Sequence, residues 1–180
     1  MTATILYTPA TEDRTSSLAL RLTLAPAGTA PALLDGAWWP HSRDLTAELP
    51  VLARALDPLW GRITHATVNP AFWSVIPRKV PVDGHVMRVG WFTAEQDPHK
   101  LLLLSYRTGR WDLLVIPPET GPADAARLMA EAADPLSALT ASGLMAAAEQ
   151  RRTAAEVEAE VEAGVVAVWD SEGGHAAGRR

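Results

Sequence analysis

The side chains best suited to chemistry lie in one short segment, from Asp35 to Asp44. Two adjacent tryptophans, Trp38 and Trp39, stand close to Arg43 in it. Aromatic rings beside a guanidinium can form a recognition surface for an anionic ligand or partner group. In the alternative, one tryptophan fills the core and Arg43 pairs with Asp35 or Asp44. We therefore treat Asp35, Trp38, Trp39 and Arg43 as candidate binding residues, with a structural role as the alternative.

A second group of cations flanks the predicted turn at Thr108 and Gly109. In a two-residue hairpin, Arg107 and Arg110 would face each other and could bind a phosphate or a carboxylate. A solvated turn is the alternative, and the sequence leaves both open. Arg78 and Lys79 could add to a basic patch, but the net charge of −5 argues against a nucleic-acid site.

The sequence predicts no catalytic residues, no metal site and no cofactor. His41, Ser42 and Asp44 are neighbours along the chain, whereas a triad needs side chains that converge in space. The five histidines show no ligand-like spacing, and His85 and His99 would approach each other only if their strands paired. The absence of cysteine excludes disulfides and thiolate sites. Phosphate-binding glycine loops are missing as well.

The first elements that must position these residues are a strand and a helix. Alternating leucines predict a strand from Leu18 to Leu24. An amphipathic helix follows, with Ser42 as its N-cap and a leucine every three or four residues: Leu45, Leu49, Leu52, Leu56 and Leu59. Pro50 predicts a kink or two short helices, and Asp57-Pro58 predicts the end.

The middle of the chain predicts a strand over Arg62–Asn69 and then a four-strand antiparallel meander. Two prolines restrict the first strand of the meander to an edge of the sheet. Asp83-Gly84 predicts a type I′ hairpin turn. The register predicts Tyr106 opposite Trp111, and nearly continuous apolar runs predict that the last two strands are central. The meander strands are Ile76–Val82, His85–Phe92, Lys100–Tyr106 and Trp111–Ile116.

The C-terminal part predicts helices. Thr120 is the expected cap and Pro122 the expected first-turn residue of a helix that ends near Ala133. A second helix is predicted over Leu136–Glu149. Beyond it, glutamates alternate with alanine and valine, which favours helix or disorder. The predicted organisation is a disordered arm at 1–16, one α+β domain at 17–149, and an acidic helical or disordered tail at 150–180.

One stretch carries a resemblance to a known family. Its residues are Asp35-Gly36-Ala37-Trp38-Trp39-Pro40, then Ser42-Arg43-Asp44-Leu45, then Glu48-Leu49-Pro50. The stretch resembles the signature of an uncharacterised actinobacterial family of domains of unknown function. The resemblance covers about Leu18 to Ala148. It implies a cytoplasmic bacterial protein and carries over no activity, ligand or site residue.

The expected fold is α+β, with a mainly antiparallel sheet, helices on one face, and a C-terminal helical extension. At 180 residues, 48% hydrophobic and 21% charged, the chain can form an ordinary core. The sequence has no run of about 20 apolar residues, so we predict no membrane-spanning helix. We expect a cytoplasmic, non-enzymatic interaction or regulatory domain that binds a protein partner or small ligand. The alternative is a small-molecule-binding protein or enzyme with a sheet–helix cavity lined by tryptophans.

Overall fold

The computed structural model describes residues 19–28, 32–106 and 109–172. The predicted arm at 1–16 and the candidate residue Arg107 lie outside the described residues. The described chain is α+β and forms one seven-stranded sheet.

The elements follow one another in a fixed order. They are β1 (Leu22–Leu24), β2 (Gly36–Trp38), α1 (Leu45–Trp60), β3 (Ile63–Val68), a 3₁₀ turn (Pro70–Phe72), β4 (Lys79–Val82), β5 (His85–Trp91), β6 (Lys100–Ser105), β7 (Arg110–Val115), α2 (Pro122–Ala132) and α3 (Ala141–Glu172).

The sheet is mixed rather than mainly antiparallel as predicted, with the strand order β1-β2-β7-β6-β3-β5-β4. β2 runs parallel to β7 and β3 runs parallel to β5, while the other pairs are antiparallel. The predicted meander is therefore wrong, because β3 lies between β5 and β6. The β4–β5 hairpin forms as predicted, and β6 pairs with β7 in a second hairpin. Strand β4 occupies an edge, as Pro81 within it requires.

The β6–β7 hairpin has a different register from the predicted one. Trp111 lies opposite Leu103, and Arg110 lies opposite Leu104, so Tyr106 does not face Trp111. The connection is longer than two residues, since the Ser105 N–H donates to the Gly109 carbonyl. Trp111 instead stacks on Trp60, with ring centroids 4.7 Å apart.

Helices cover both faces of the sheet, so the prediction of helices on one face is wrong. Trp38 and Leu113 point into a core closed by α1, whereas Ala37 and Leu114 point into a second core with α2 and the start of α3. The physical reason lies at the end of β7: its Leu113, Leu114 and Val115 are all buried, as is the following Ile116, and this run needs cover on both sides.

Helix α1 starts at a different cap and is longer than predicted. Asp44, not Ser42, accepts hydrogen bonds from the N–H groups of Thr46 (3.0 Å) and Ala47 (3.4 Å). The helix runs through Pro50 and Pro58 to Trp60 without a break. Each proline removes one backbone hydrogen bond, but Leu45, Leu49, Leu52 and Leu56 are fully buried and hold the turns of the helix against the sheet. Leu59, the last member of the predicted stripe, is exposed instead.

Two glycines occupy positions that a side chain would strain. Gly84 has φ of 80° in the two-residue turn that joins Val82 to His85, as the predicted hairpin requires. Gly36 has φ of 150°, and a Cβ there would lie 2.1 Å from the carbonyl oxygen of Thr23. The pairing of β1 with β2 therefore depends on a glycine at position 36.

The C-terminal helices differ from prediction at their starts. Helix α2 has Gly121 at its N-cap and no side-chain cap bond, so Thr120 does not cap it, while Pro122 is the first helical residue as predicted. Helix α3 begins at Ala141 rather than at the predicted Leu136, and residues 136–140 are not helical. It continues through the glutamate-rich segment to Glu172, and residues 152–165 are exposed throughout.

Candidate functional site

Asp35 joins two strands. Its carboxylate Oδ2 accepts the N–H of Asp112 at 2.8 Å, and its own N–H donates to the Asp112 carbonyl at 2.8 Å. Burial raises the pKa of Asp35; the hydrogen bond from Asp112 opposes that rise, and the negative charge of Asp112 adds to it. Asp35 thus ties the start of β2 to β7 through the backbone.

The two tryptophans lie on opposite faces of the sheet, as adjacent residues of a strand must. Trp38 is fully buried and stacks on Trp73, with ring centroids 5.5 Å apart. Trp39 is half-buried and packs against the second core. The guanidinium of Arg21 lies 3.5 Å from the centroid of the Trp39 ring, and its Nε donates to the Trp39 carbonyl at 3.0 Å.

Because the guanidinium of Arg21 covers one face of the Trp39 ring, that face is not open to an external ligand. Arg21 also donates from Nη2 to the Pro40 carbonyl at 2.6 Å. Burial lowers the pKa of Arg21, against the opposing effect of Glu48. A cation over a tryptophan face gives roughly 0.5–2 kcal/mol, so the contact helps to hold the β1–β2 corner.

Arg43 connects two loops, and its ion-pair partner is neither Asp35 nor Asp44. Its Nη1 donates to the Phe72 carbonyl at 3.0 Å, and its Nη2 donates to Glu119 Oε1 at 2.5 Å. The pKa of Glu119 is lowered first by its own backbone N–H, against slight burial, and then by Arg43. Arg43 therefore joins the 3₁₀ turn to the loop before α2.

His85 and His99 do not form a paired site. β3 separates β5 from β6, so the strands that would have brought the two histidines together are not neighbours. His85 Nε2 lies 2.7 Å from the Ile63 carbonyl, and His99 packs edge-on against Phe72 at 4.9 Å. Burial lowers the pKa of His99, against the opposing charge of Asp97. No group of three or more potential metal ligands occurs within 19–28, 32–106 and 109–172.

A shallow groove at the end of β5 was not among the sequence candidates. It has a volume of about 370 Å³ and lies between Trp73 and Trp91, with Ser74 and Thr93 as its polar groups. Trp91 is 51% exposed, and the guanidinium of Arg78 is 6.0 Å from its ring centroid. The alternation of Met87, Val89 and Trp91 is a sequence signal that could have indicated this groove. The three residues point to the same face of the strand, and the last of them can extend past the elements that bury the first two.

Cations line up across the part of the sheet that α2 and α3 leave uncovered. Directly paired residues point to the same face, and here the pairing runs from one strand to the next. Lys79 pairs with Arg88, Arg88 with His65, His65 with Leu104, and Leu104 with Arg110. All five are exposed. We call these residues, with the neighbouring exposed Val86, the basic face.

The charges of the basic face are only partly balanced. Asp112 Oδ1 lies 3.3 Å from Lys100 Nζ, and its Oδ2 lies 3.4 Å from Arg110 Nε, so one carboxylate serves two cations. Lys79 and Arg88 form no ion pair with any residue that the structure describes. Among the candidate cations that the structure describes, Arg110 and Lys79 lie on this face.

The second uncovered surface is the projecting part of α3, which we define as residues 152–165. Its apolar stripe consists of Val157 (55% exposed), Val161 (62%) and Val165 (52%). Glu156 and Glu160 flank that stripe on one side, and Glu158 and Glu162 flank it on the other. The helix body before it is anchored by Arg151, which donates to both carboxylate oxygens of Glu131 at 2.8 and 3.1 Å.

Comparison with known proteins gives a family but no function. No helix in the described part of the chain combines the length and apolarity that a bilayer crossing requires. Neither the curated proteins nor the solved structures contain a match to the chain. The model of the "Family of unknown function (DUF5994)" matches residues 21–132, a range that holds the tryptophan pair, Arg43 and the whole sheet. The chain therefore belongs to this family of unknown function.

Proposed function

We propose that the protein is a non-enzymatic interaction domain and that the projecting part of α3 is its protein-binding element. The observation that carries this proposal is the exposed valine stripe on a helix segment whose side chains the body of the protein leaves open to solvent. The cytoplasmic location, the actinobacterial origin and the domain boundaries at 17–149 and 150–180 belong to the same proposal.

The energetics of α3 support a binding role. The helix has 32 residues and is about 48 Å long, so its second half extends beyond the sheet. Helical stability in proteins comes mainly from packing of an apolar face rather than from intrinsic propensity. Burial of an exposed valine contributes on the order of 1 kcal/mol or more, so a partner that covers Val157, Val161 and Val165 stabilises the helix as it binds.

The partners of the candidate residues within the fold support the non-enzymatic part of this proposal. Asp35 binds a strand backbone, Trp39 lies under Arg21, and Arg43 is held by Glu119 and Phe72. Trp38 stands in a closed core rather than in a cavity. Side chains that are already paired inside the fold lend no support to a reaction at this segment.

A small-ligand function is the second candidate, and the groove between Trp73 and Trp91 favours it. An exposed indole beside Arg78 suits a planar or anionic ligand. The polar groups in the groove are few, however, which makes it less specific than a typical ligand site. Loss of ligand-induced fluorescence change in Trp91→Ala, with Trp60→Ala as the control, would assign a ligand to this groove.

The interaction proposal is tested by placing a photo-reactive amino acid on either side of α3 in cells that express the protein. We expect covalent adducts from position Val161, in the apolar stripe, and none from the matched position Ala159 on the opposite side of the helix. Mass spectrometry then identifies the adduct. Equal yields from both positions, or no adduct from Val161, would rule out the projecting part of α3 as the binding element.

A further inference from the structure

We infer that the projecting part of α3 in one copy of the protein docks on the basic face of a second copy. This inference rests on the function proposed above and names the partner. Each copy carries both surfaces, so a reciprocal exchange related by a twofold axis covers both of them in both copies. The inference comes from the charges and dimensions of the two surfaces.

The charges are complementary. The projecting part of α3 carries four glutamates and one arginine, Arg152, which pairs with Glu149. The basic face carries Lys79, Arg88 and Arg110. The chain as a whole has a net charge of −5, so the basic face is a local exception. Opposite potentials of this kind steer association and select the partner.

The apolar parts match as well. The valine stripe of α3 runs between two rows of glutamates, and the basic face has Val86 and Leu104 among its cations. The helix can therefore place its valines on Val86 and Leu104 while its glutamates reach the flanking cations. Long lysine and arginine side chains are suited to this, because they cover apolar surface with their methylene groups and keep their charge at the rim.

The dimensions also agree. The basic face spans five neighbouring strands, which is about 19 Å from β4 to β7. The projecting part of α3, residues 152–165, is about 21 Å long. On the other half of the same sheet face, α2 and the start of α3 already pack over β2 and β7. A helix from a second copy would complete this layer.

Other occupants fit less well. The tail of the same copy cannot turn back, because α3 is continuous from Ala141 to Glu172. Pairing of two tails through Val157 and Val161 would bring Glu158 and Glu160 against the glutamates of the other helix, and like charges at such positions are destabilising. A nucleic acid on the basic face would meet the repulsion of an acidic protein.

The test is sedimentation of the full chain and four variants at about 50 mM and about 500 mM salt. We expect a dimer at low salt that dissociates at high salt. Reversal of the tail, with Glu156, Glu158, Glu160 and Glu162 each changed to lysine, should weaken dimerisation more than about tenfold. Reversal of the face, with Lys79→Glu and Arg88→Glu, should have the same effect.

The other two variants make the test specific. A chain that carries both sets of reversals should dimerise again at low salt, because the complementary charges are restored. The control, Arg54→Glu with Arg127→Glu, has the same charge change as the face variant on α1 and α2 and should remain a dimer. Circular dichroism checks the fold, and Arg88→Glu alone replaces the face variant if the double change unfolds it.

The remaining outcomes overturn the inference. A full chain that is monomeric at low salt excludes the second copy as the occupant. A dimer that survives reversal of the face shows that the tails pair with each other. Failure of this inference is distinguishable from failure of the proposed function. An adduct at Val161 with a different protein would retain the projecting part of α3 as the binding element but exclude the second copy as its partner, whereas no adduct at Val161 would exclude both.

Discussion

At the scale of single residues, the tryptophan pair shows how one strand serves two cores. Trp38 is buried beside Trp73, and Trp39 is covered by the guanidinium of Arg21. The two rings differ in their surroundings. Trp38 lies in a closed apolar core, whereas Trp39 is half-buried and has the Arg21 guanidinium over one face of its ring. The two positions should therefore differ in their contribution to stability.

We expect Trp38→Ala to lower the free energy of unfolding by roughly 3–5 kcal/mol, because it leaves a large cavity in the core. Trp39→Ala should cost less than half as much, since it removes a half-buried ring and its contact with Arg21. Urea denaturation of both variants measures the difference. Arg21→Ala is the matched control and should resemble Trp39→Ala. Equal, severe losses from both tryptophans would mean that position 39 is as much a core position as position 38.

At the scale of elements, the start of α3 depends on a residue from a distant loop. Asp97 accepts the N–H of Ser142 at 2.8 Å and its hydroxyl at 2.7 Å, although 45 positions separate them. Burial tends to raise the pKa of Asp97, but the hydrogen bonds from Ser142 and His99 outweigh it, so the pKa lies below its ordinary value. The carboxylate therefore fastens the β5–β6 connection to the helix while it is ionised.

We expect Asp97→Asn to lower the free energy of unfolding by about 1–2 kcal/mol at pH 7. A carboxylate whose pKa is lowered by folding stabilises the fold above its ordinary pKa of about 4 and loses that contribution as the pH falls through the folded value. The difference between wild type and Asp97→Asn should thus shrink below about pH 4. Chemical denaturation from pH 7 to pH 3 measures it.

The matched control for this experiment is Asp134→Asn. Asp134 is exposed and accepts one local N–H, that of Leu136 at 2.9 Å. Its replacement should change stability by less than about 0.5 kcal/mol. A constant difference between Asp97→Asn and wild type across the whole pH range would show that the charge of Asp97 does not support α3.

At the scale of the whole molecule, the start of α3 packs in the core of the body, and its later part is exposed to solvent. Ala141 and Leu144 are buried in the second core. Arg151 is still partly buried, and every residue from 152 to 165 is exposed. The stability of the body should therefore be largely independent of the projecting part, while association should depend on it.

We expect a chain that ends at Gln150 to unfold cooperatively, at nearly the same temperature as the full chain under high-salt conditions where both are monomeric. It loses the half-exposed pair of Arg151 and Glu131, which contributes at most about 1 kcal/mol. Leu144→Ala in the full chain is the contrast, with an expected cost of about 2–5 kcal/mol because Leu144 is fully buried. Thermal melts compare them, and a large loss on truncation would show that the projecting part packs on the body.

Much of the local structure follows from the sequence. The leucine stripe of α1, strand β3, the Asp83-Gly84 hairpin and the central position of β7 are set by neighbouring residues. The periodicity of apolar side chains and the φ preference of glycine act over a few positions, so they are visible without a structure. The alternation of side chains along an extended segment likewise accounts for Trp38 and Trp39 on opposite faces of the sheet.

The candidate site was less predictable, because the roles of its members depend on partners far along the chain. Arg43 finds Glu119, which is 76 positions away, and Trp39 finds Arg21 across the β1–β2 pair. The basic face exists because Lys79, Arg88 and Arg110 occupy one row of paired strands. No spacing in the sequence indicates that row, since it combines four separate strand registers.

The sequence by itself determined the α+β class, the hairpin at Gly84 and the acidic character of the last helix, because these depend on composition and short-range periodicity. Only the tertiary structure decided that β3 lies between β5 and β6 and that helices cover both faces of the sheet. Strand order is set by which arrangement buries the most apolar surface across long loops, and loop closure entropy changes only slowly with length. A local pattern therefore cannot distinguish a meander from an inserted strand.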